Sequence, residues 1–304
     1  MPEAAPMVSI GLPVFNGEAF IARALDSLLA QDFRDFEIIV CDNASQDATA
    51  KIAAAYADRD TRIRLHRNPQ NLGLAGNFNR TFKLSRGEYF KWVAHDDWHA
   101  PESLRLTVQA MEEHPAAALC TTGVSLVDEH GAEFDRWVQP ADLTRPEPHR
   151  RMHQLLLTLG ETHPMYGLIR ASALAQTKLI QGYVGSDRTL LSELSLLGPF
   201  VDVPEILHFY TVSASARRNY RPSLHYDPRN RGKLPLRTWR LIYEHLHLVW
   251  RSRLELHQKL YLVRSIVSRF GIRDFHRLAA ESYYAGRFLA ARAAAWRLSG
   301  SGAR

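Results

Sequence analysis

The sequence predicts an α/β protein in which a mostly parallel, Rossmann-like sheet is flanked by helices and followed by a C-terminal helical extension. Between residues 8 and 94, short apolar stretches alternate with segments of helical apolar spacing. This order is typical of a parallel sheet covered by helices on both faces. Charge is also unevenly distributed along the chain. Residues 217–304 contain 19 Lys and Arg but only 5 Asp and Glu, whereas residues 1–216 contain 19 Lys and Arg and 27 Asp and Glu.

Composition excludes several classes of protein. Hydrophobic residues make up 46% and charged residues 23% of the 304 residues, which excludes a disordered chain. The two cysteines, Cys41 and Cys120, exclude a disulfide framework and a clustered zinc site and favour a reducing compartment. The sequence has no run of 18 apolar residues and does not begin like a signal peptide. We therefore expect a cytoplasmic protein.

Four strands and three helices are predicted over the first hundred residues. The predicted strands are Val8–Phe15, Phe36–Cys41, Arg62–Arg67 and Glu88–Ala94. The predicted helices are Ala19–Ala30, Gln46–Tyr56 and a third that follows Asn71-Leu72-Gly73 and ends near Leu84.

The remaining chain continues with mixed elements. We predict helices over Pro101–His114, Arg151–Leu159 and Arg188–Leu197, strands over Ala116–Val127 and Pro164–Ile169, and a long loop over 136–150. Three parts are expected: an α/β domain over residues 7–212, a basic linker over 213–235 and a helical region over 236–298.

Polar residues follow three of the first four predicted strands. Asn16 follows the first strand, Asp42 and Asn43 follow the second, and His95-Asp96-Asp97 follow the fourth. Any one of them also suits a turn or a helix cap. Because the carboxyl ends of parallel strands meet at one edge of a sheet, where ligands bind, the set predicts a site there.

The adjacent carboxylates Asp96 and Asp97 point to metal chemistry. Two like charges so close repel unless a cation lies beside them. A hard divalent cation that keeps its waters needs only one or two protein carboxylates, and substrate phosphates complete its shell. The alternative is that Asp97 caps the helix near Pro101, but it lies too far upstream to be a good cap.

Four pieces of the segment Val8–Leu104 carry a resemblance to a known family. They are Ser9-Ile10-Gly11-Leu12-Pro13-Val14-Phe15-Asn16, the run from Phe36 to Thr49, Asn71-Leu72-Gly73 with Asn79, and Gly87-Glu88-Tyr89 leading to His95-Asp96-Asp97. In order and spacing they resemble the nucleotide-sugar half of family-2 glycosyltransferases with a GT-A fold. The resemblance continues more loosely to about Tyr210, through Gly167–Arg170 and Gly185–Arg188.

The resemblance implies an enzyme that moves a sugar from a UDP- or dTDP-sugar to a glycan or polyprenyl-linked acceptor, with inversion, in cell-envelope polysaccharide biosynthesis. Mg²⁺ or Mn²⁺ is the implied cofactor, held by Asp97. The implied donor-binding residues are Pro13, Val14, Asn16, Asp42, Asn71, Gly73 and Asp96. In this set Asp42 reads the pyrimidine edge and Asp96 lies near the ribose.

Asp187 is the expected catalytic base, because such enzymes need a carboxylate to take the acceptor proton. It follows Gly185-Ser186, where the backbone can approach a ligand. A helix N-cap is the alternative role of Asp187. Glu193 is a second candidate for the base, and its position within the helix favours packing.

The chain departs from the family pattern at three places. His95 stands where the family often has Asp, and Phe78 stands where many members have Arg, which puts one diphosphate contact in doubt although Arg80 is near. Many relatives carry Arg or His after the strand that follows the helix of the catalytic base. In this chain His208 is the residue at that place, and Arg217 and Arg218 follow a few residues on. Acceptor specificity is expected in the loop 136–150 and around Thr162, His163 and Tyr166.

A second function class remains open: a non-catalytic nucleotide-sugar-binding or scaffold protein of the same fold. The basic C-terminal region interleaves aromatic residues with Arg and His. It predicts peripheral contact with the inner face of the cell membrane or a homo-oligomer interface. Nucleic acid is the least favoured partner.

Overall fold

The computed structural model describes residues 5–138, 142–158, 163–212, 236–283 and 285. The chain divides into two compact units, Met1–Asn230 and Arg231–Arg304. The predicted linker over 213–235 and the predicted helix beyond residue 285 lie outside the described residues.

Four parallel strands form the first half of the sheet in unit 1. They are β1 (Val8–Val14), β2 (Phe36–Asp42), β3 (Ile63–Arg67) and β4 (Tyr89–Trp92), in the spatial order β3-β2-β1-β4. The predicted strands are confirmed within a few residues. Every residue of β1, β2 and β4 is buried, which explains their continuous apolar runs.

Three helices connect these strands. They are α1 (Ile21–Leu29), α2 (Thr49–Ala57) and α3 (Gly73–Lys83). In α1 the buried residues recur at helical spacing, as Ile21, Ala24, Leu25 and Leu28. Helix α3 packs closely on β1 at Gly11, where a Cβ atom would overlap Thr81 and Phe90. A glycine is therefore required there by the approach of the helix.

The second half of the sheet is mixed. It contains β5 (Trp98–His99), β6 (Leu119–Val127), β7 (Glu133–Trp137), β8 (Leu168–Arg170) and β9 (Phe200–Thr211), with helices α4 (Ser103–Glu113), α5 (Pro148–Thr158), α6 (Ala171–Leu174) and α7 (Ser186–Leu197). The order continues β4-β8-β6-β9-β5, and β7 pairs with β6. Strand β8 runs antiparallel to β4 and β6, whereas β9 runs parallel to β6.

The predicted strand over Pro164–Ile169 is wrong in its first half. Residues His163–Tyr166 form a 3₁₀ turn, and only Leu168–Arg170 form a strand. Proline has no N–H to donate and its fixed φ suits the first turn of a helix. The Pro164 carbonyl accepts a hydrogen bond from Gly167 N at 3.0 Å, which closes the turn. The predicted loop 136–150 is also too long, because β7 ends at Trp137 and α5 begins at Pro148.

Unit 2 is helical in its described part. It consists of α8 (Arg237–Arg251), α9 (Leu256–Ile266), a π-helical stretch over Val267–Ile272 and helical residues 275–283. Leu241, Leu248, Leu262, Ile266 and Phe270 are buried. Across the described ranges, none of the helices combines the length and apolar composition that crossing a bilayer requires.

Candidate active site

The loops that follow β1 and β2 are tied together by hydrogen bonds. Asn16 has a φ of 51°, in the left-handed region that asparagine tolerates. Its N–H donates to Ser45 Oγ at 2.9 Å, and its side-chain Oδ1 accepts from Gln46 N at 2.9 Å. Gly17 N donates to Thr49 Oγ1 at 2.8 Å. The Asn16 side chain therefore shapes the loop at this sheet edge.

Four asparagines support the neighbouring loops. Asn43 Nδ2 donates to Asn71 Oδ1 at 2.9 Å, and Asn43 Oδ1 accepts from Asn68 Nδ2 at 2.9 Å and from Leu72 N at 2.9 Å. Asn68 Nδ2 also donates to Asn77 Oδ1 at 2.9 Å. Asn71 Oδ1 accepts from Gly73 N at 2.7 Å. Asn71 and Gly73, which are predicted to bind the nucleotide-sugar donor, therefore belong to the same hydrogen-bonded network as the other asparagines. Asn68 and Asn77 were missed by sequence reasoning.

Asp42 lies in a row across three strands. The strand register places Val14 opposite Asp42 and Asp42 opposite Arg67. Asp42 is fully buried, its Oδ1 accepts from Ser45 N at 3.1 Å, and its Oδ2 lies 3.1 Å from Arg67 Nε. Pro13 and Val14 are buried beside it. Sequence reasoning missed Arg67, although its position as the last residue of β3 was the available signal.

The turn after β4 gives its two aspartates different surroundings. The Asp96 carbonyl accepts hydrogen bonds from Arg23 Nη2 at 2.9 Å and from Thr211 Oγ1 at 2.5 Å. The Arg23 guanidinium in turn stacks on Trp98, 4.0 Å from the ring centroid. The Asp96 carboxylate is half-buried and makes no hydrogen bond or ion pair with the residues that the structure describes. Arg23 also escaped sequence reasoning, since nothing in α1 singled it out.

Asp97 is buried, and both of its carboxylate oxygens are engaged. Oδ1 accepts from Thr211 N at 2.9 Å, and Oδ2 lies 2.9 Å from His208 Nε2. Burial and the charge of Asp96 raise the pKa of Asp97 well above its usual value. Burial and the nearby ammonium of Lys91 lower the pKa of His208 to about 3. The pair is thus an internal contact between β9 and the turn after β4.

The side chains in the turn after β4 fit a divalent cation that is bound through one carboxylate, that of Asp96. In the described ranges no cluster of three or more His, Cys, Asp or Glu side chains is arranged to hold a metal ion. Mg²⁺ and Mn²⁺ need fewer protein ligands when waters and substrate phosphates complete the shell. The Asp96 carboxylate suits that role, whereas Asp97 has neither a free oxygen nor exposure.

Asp187 is half-buried in the first turn of α7. The N-cap residue is Gly185, whose φ of 91° is in the left-handed region, so Asp187 is not the cap. Asp187 Oδ1 accepts from Arg188 N at 2.9 Å. Glu193 is buried and its Oε2 accepts from Lys178 N at 2.7 Å, which gives it a packing role.

The residues that depart from the family pattern, His95 and Phe78, pack against neighbouring parts of the protein. The His95 ring lies against Gly17, where a Cβ atom would overlap it. Phe78 is buried in the core, and Arg80 carries a positive charge close to the buried thiol of Cys41. Asn79 is bonded to the backbone of Ile180, at 2.8 Å through Nδ2 and at 3.1 Å through Oδ1. Arg217 and Arg218 lie outside the described residues.

Aromatic rings adjoin His208. The ring of His163 lies 4.8 Å from Tyr210 and 5.5 Å from Trp137, and the ring of Tyr166 lies 5.7 Å from His208. His163 and Tyr166 belong to the 3₁₀ turn, which contacts β4 and α7. The predicted acceptor residues His163 and Tyr166 are thus part of one aromatic group, while Thr162 is outside the described ranges.

Comparison with known proteins identifies relatives of the first unit. The family model described as glycosyl transferase family 2 matches residues 9–177, more than half of the chain. A glycosyltransferase-named protein of Rickettsia felis is 32% identical over 169 residues, 55% of this chain and 27% of the relative. EpsE of Bacillus subtilis, also named a glycosyltransferase, is 33% identical over 132 residues, 43% of this chain and 48% of EpsE. The chain therefore spans about half or less of these relatives.

Solved structures share the fold. S. aureus TarS 1–349 in complex with UDP superposes with a TM-score of 0.65 at 18% identity, over 86% of this chain and 71% of TarS 1–349. The mannosyltransferase PcManGT of Pyrobaculum calidifontis, in complex with GDP-Man and Mn²⁺, superposes with a TM-score of 0.57 at 16% identity, over 99% of this chain and 81% of PcManGT. The predicted GT-A fold is confirmed.

Proposed function

Because the chain belongs to glycosyl transferase family 2, we propose that it transfers a sugar from a nucleoside-diphosphate sugar to an acceptor hydroxyl, with inversion at the anomeric carbon. The observation that carries the proposal is the sheet edge where Asp42 and Asp96 follow β2 and β4. Asp42, the last residue of β2, lies between Val14 and Arg67 in the row across the three strands. The Asp96 carboxylate lies in a turn whose carbonyl accepts a hydrogen bond from Arg23.

We assign base recognition to Asp42 and Arg67. A pyrimidine presents an N–H between two carbonyl groups. A carboxylate accepts from the N–H, and a guanidinium beside it donates to a carbonyl. The pair Asp42–Arg67 holds both groups in adjacent strands, and the base reaches the buried Asp42 Oδ2 when the exposed Arg67 side chain moves aside. A UDP- or dTDP-sugar is the proposed donor, with Pro13, Val14, Asn16, Asn71 and Gly73 lining the nucleotide site.

The metal-binding role passes from Asp97 to Asp96 in this proposal. The support is that Asp97 is buried with both oxygens engaged, whereas the Asp96 carboxylate has no partner in the described part of the chain. Mg²⁺ or Mn²⁺ bound through Asp96 would offset the charge of the departing diphosphate. Asp97 then holds Thr211 and His208 and keeps the turn in place.

Asp187 remains the proposed catalytic base. Its carboxylate takes the proton of the acceptor hydroxyl, the hydroxyl oxygen bonds to the anomeric carbon, and the nucleoside diphosphate leaves. The support is its position in the first turn of α7, half-buried, without a capping duty. The N–H of Arg188 donates to Asp187 Oδ1 at 2.9 Å and so orients the carboxylate.

The acceptor is proposed to be a glycan or a polyprenyl-linked sugar of the cell envelope, used on the cytoplasmic side of the membrane. The aromatic group of Trp137, His163, Tyr166 and Tyr210 supports a sugar acceptor, because flat aromatic faces offer apolar area with polar tips.

Calorimetric titration tests the donor proposal. The purified chain is titrated with UDP, dTDP and GDP, each with Mn²⁺ and with EDTA. We expect Mn²⁺-enhanced binding of a pyrimidine nucleotide, lost in Asp96→Asn. Preference for GDP would overturn the base assignment. Absence of binding to all three by a folded protein would favour the non-catalytic scaffold.

A further inference from the structure

The described helices of unit 2 expose an unusual amount of apolar side chain. Ten of the fifteen large hydrophobic side chains that are exposed in the described residues lie between Trp239 and Tyr283, and they are 42% to 73% exposed. Only five lie in the much longer unit 1. Exposed apolar side chains that are grouped in this way mark a contact surface.

On α8 the exposed side chains form an aromatic stripe. Trp239, Tyr243 and Trp250 are spaced four and seven residues apart, which places them on one side of the helix. The opposite side is already occupied, because Leu241, Leu248 and Val249 are buried. Helix α8 is therefore apolar on two sides, and packing within unit 2 uses only one of them.

The following helical segments repeat this arrangement with aliphatic residues. Leu256, Leu260 and Val267 are exposed at the same spacing of four and seven residues along α9 and its continuation. Ile272 and Phe275 are also exposed. The buried side of α9 consists of Leu262, Ser265 and Ile266.

In residues 236–283 most of the basic side chains are exposed, whereas most of the acidic side chains are not. Nine basic residues and four acidic residues occur in this range. Glu244 and Asp274 are buried and paired with Arg240 and Arg269, and Glu281 accepts hydrogen bonds from Thr238. Only Glu255 is an exposed acid, whereas seven arginines are exposed. The outer surface of unit 2, meaning the exposed side chains of residues 237–283, is therefore both basic and apolar.

We infer that the outer surface of unit 2 binds an anionic phospholipid membrane, with Trp239, Tyr243 and Trp250 at the headgroup level and the exposed arginines against lipid phosphates. Tryptophan and tyrosine combine an apolar ring with a polar tip and are enriched at membrane interfaces. Helices with aromatic and aliphatic residues beside Lys and Arg bind anionic lipid surfaces. The inference does not depend on sugar transfer.

Other occupants match the surface less well. In a two-fold dimer each copy presents the same patch, so the exposed arginines of one copy would face those of the other. A nucleic acid would pair with the arginines and stack on the aromatic rings, but Leu256, Leu260 and Ile272 would gain no contact from it. An anionic bilayer satisfies the charge and the aliphatic side chains together.

Vesicle flotation with the full chain tests this inference. Vesicles of phosphatidylcholine alone are compared with vesicles of equal phosphatidylcholine and phosphatidylglycerol, at low and high salt. We expect flotation with the anionic vesicles that falls as salt rises. The variants Arg253→Gln and Arg273→Gln should each weaken vesicle binding about fivefold. The double variant Trp250→Ser/Leu260→Ser should abolish flotation.

Matched controls lie in unit 1. Phe134→Ser removes a side chain of similar exposure, and Arg59→Gln removes an exposed arginine; both should float as the unchanged protein does. Thermal melts verify that all variants fold. Equal flotation with neutral vesicles, or full flotation of the unit 2 variants, would overturn the inference. A second result would also overturn it: the unchanged protein does not float, but forms a dimer or binds an oligonucleotide, and the unit 2 variants abolish that binding. Nucleotide titration of the same variants tests the donor site separately.

Discussion

The Asp97 carboxylate and the His208 imidazole lie 2.9 Å apart, across a sequence separation of 111 residues. This contact joins the turn after β4 to the last strand of the sheet. Thr211, three residues beyond His208, bonds the same turn twice, through its N–H to Asp97 and through its hydroxyl to the Asp96 carbonyl. The turn that carries the Asp96 carboxylate is thus held in place by hydrogen bonds to Asp97 and to the Asp96 carbonyl.

Replacing Asp97 and Asp96 should give opposite results. Asp97→Ala leaves His208 Nε2 and Thr211 N buried without their partner, and we expect it to lower the free energy of unfolding by about 2–4 kcal/mol. Asp96→Ala should change stability by less than about 0.5 kcal/mol but remove Mn²⁺-enhanced nucleotide binding. Urea unfolding and calorimetry measure the two effects. If Asp97→Asn stays fully stable and loses the Mn²⁺ effect, Asp97 is the metal ligand.

Asp187→Asn should separate binding from turnover. Without a base for the acceptor proton, we expect transfer to slow by about 10²–10⁴-fold while nucleotide affinity stays unchanged. Transfer is measured with the nucleotide that calorimetry identifies, and affinity with the free nucleoside diphosphate. Asp58→Asn, on the exposed C-terminal end of α2, is the control. Full transfer by Asp187→Asn would remove Asp187 as the base.

Arg67→Ala tests the proposed recognition of the base by Asp42 and Arg67. The loss of one charge-assisted hydrogen bond to the base should weaken pyrimidine nucleotide binding about tenfold. Stability should fall by about 1–3 kcal/mol, because the fully buried Asp42 carboxylate loses the guanidinium that lies 3.1 Å from its Oδ2. Arg62→Ala, just before the start of β3, is the matched control. If Arg67→Ala binds the pyrimidine nucleotide with unchanged affinity, Arg67 has only a structural role in its loop.

Lys91 should make stability depend on alkaline pH. Burial lowers the pKa of this amine to about 8, from its usual value of 10.5. Below pH 8 the folded and unfolded chains both hold the proton, so the cost of burying the charge is fully present. Between pH 8 and 10.5 only the unfolded chain holds it, so stability rises with pH. Lys91→Met should be more stable by about 2 kcal/mol near neutral pH, with the difference shrinking towards pH 10.

Urea unfolding of both proteins at several pH values checks this expectation. The Lys91 ammonium also donates to the Tyr166 carbonyl at 2.5 Å, and this hydrogen bond is lost in the variant. Two parallel stability curves from neutral to alkaline pH would contradict the lowered pKa of Lys91.

Glu37 should make stability depend on acidic pH. Burial opposes its ionisation, but hydrogen bonds from Ser9, Arg64 and Arg86 outweigh burial and lower its pKa. The stability that it contributes is present above its unfolded pKa and is lost as pH falls through the folded value. Glu37→Gln should cost about 3 kcal/mol, because two arginines lose their partner. Its acid unfolding curve should be flatter than that of the unchanged protein, and identical curves would contradict the assignment.

The strands and their polar ends were predictable because local signals agree there. Apolar runs of β1, β2 and β4 are buried on both faces, so pattern and burial coincide. The short strand β5 was not predicted, because two residues carry no periodicity and Trp98 pairs with the distant Phe209. The 3₁₀ turn over His163–Tyr166 was not predicted, because four residues are too few for periodicity to distinguish a turn from a short strand.

The different surroundings of Asp96 and Asp97 could not be predicted from the sequence. Two adjacent aspartates are equivalent in a pattern, and only the turn geometry buries one of them. The partners that decide the matter, Arg23, His208 and Thr211, lie far away in the chain. Arg67 was missed for the same reason, since its relation to Asp42 is a matter of strand register.

The row Val14–Asp42–Arg67 has a consequence for engineering nucleotide preference. Its three members occupy the last ladder positions of their strands. Arg67 projects furthest into solvent and sits on the sheet edge formed by β3. Substitutions at this one exposed position leave the hydrophobic core untouched, so it is the position at which the proposed base recognition can be varied and screened.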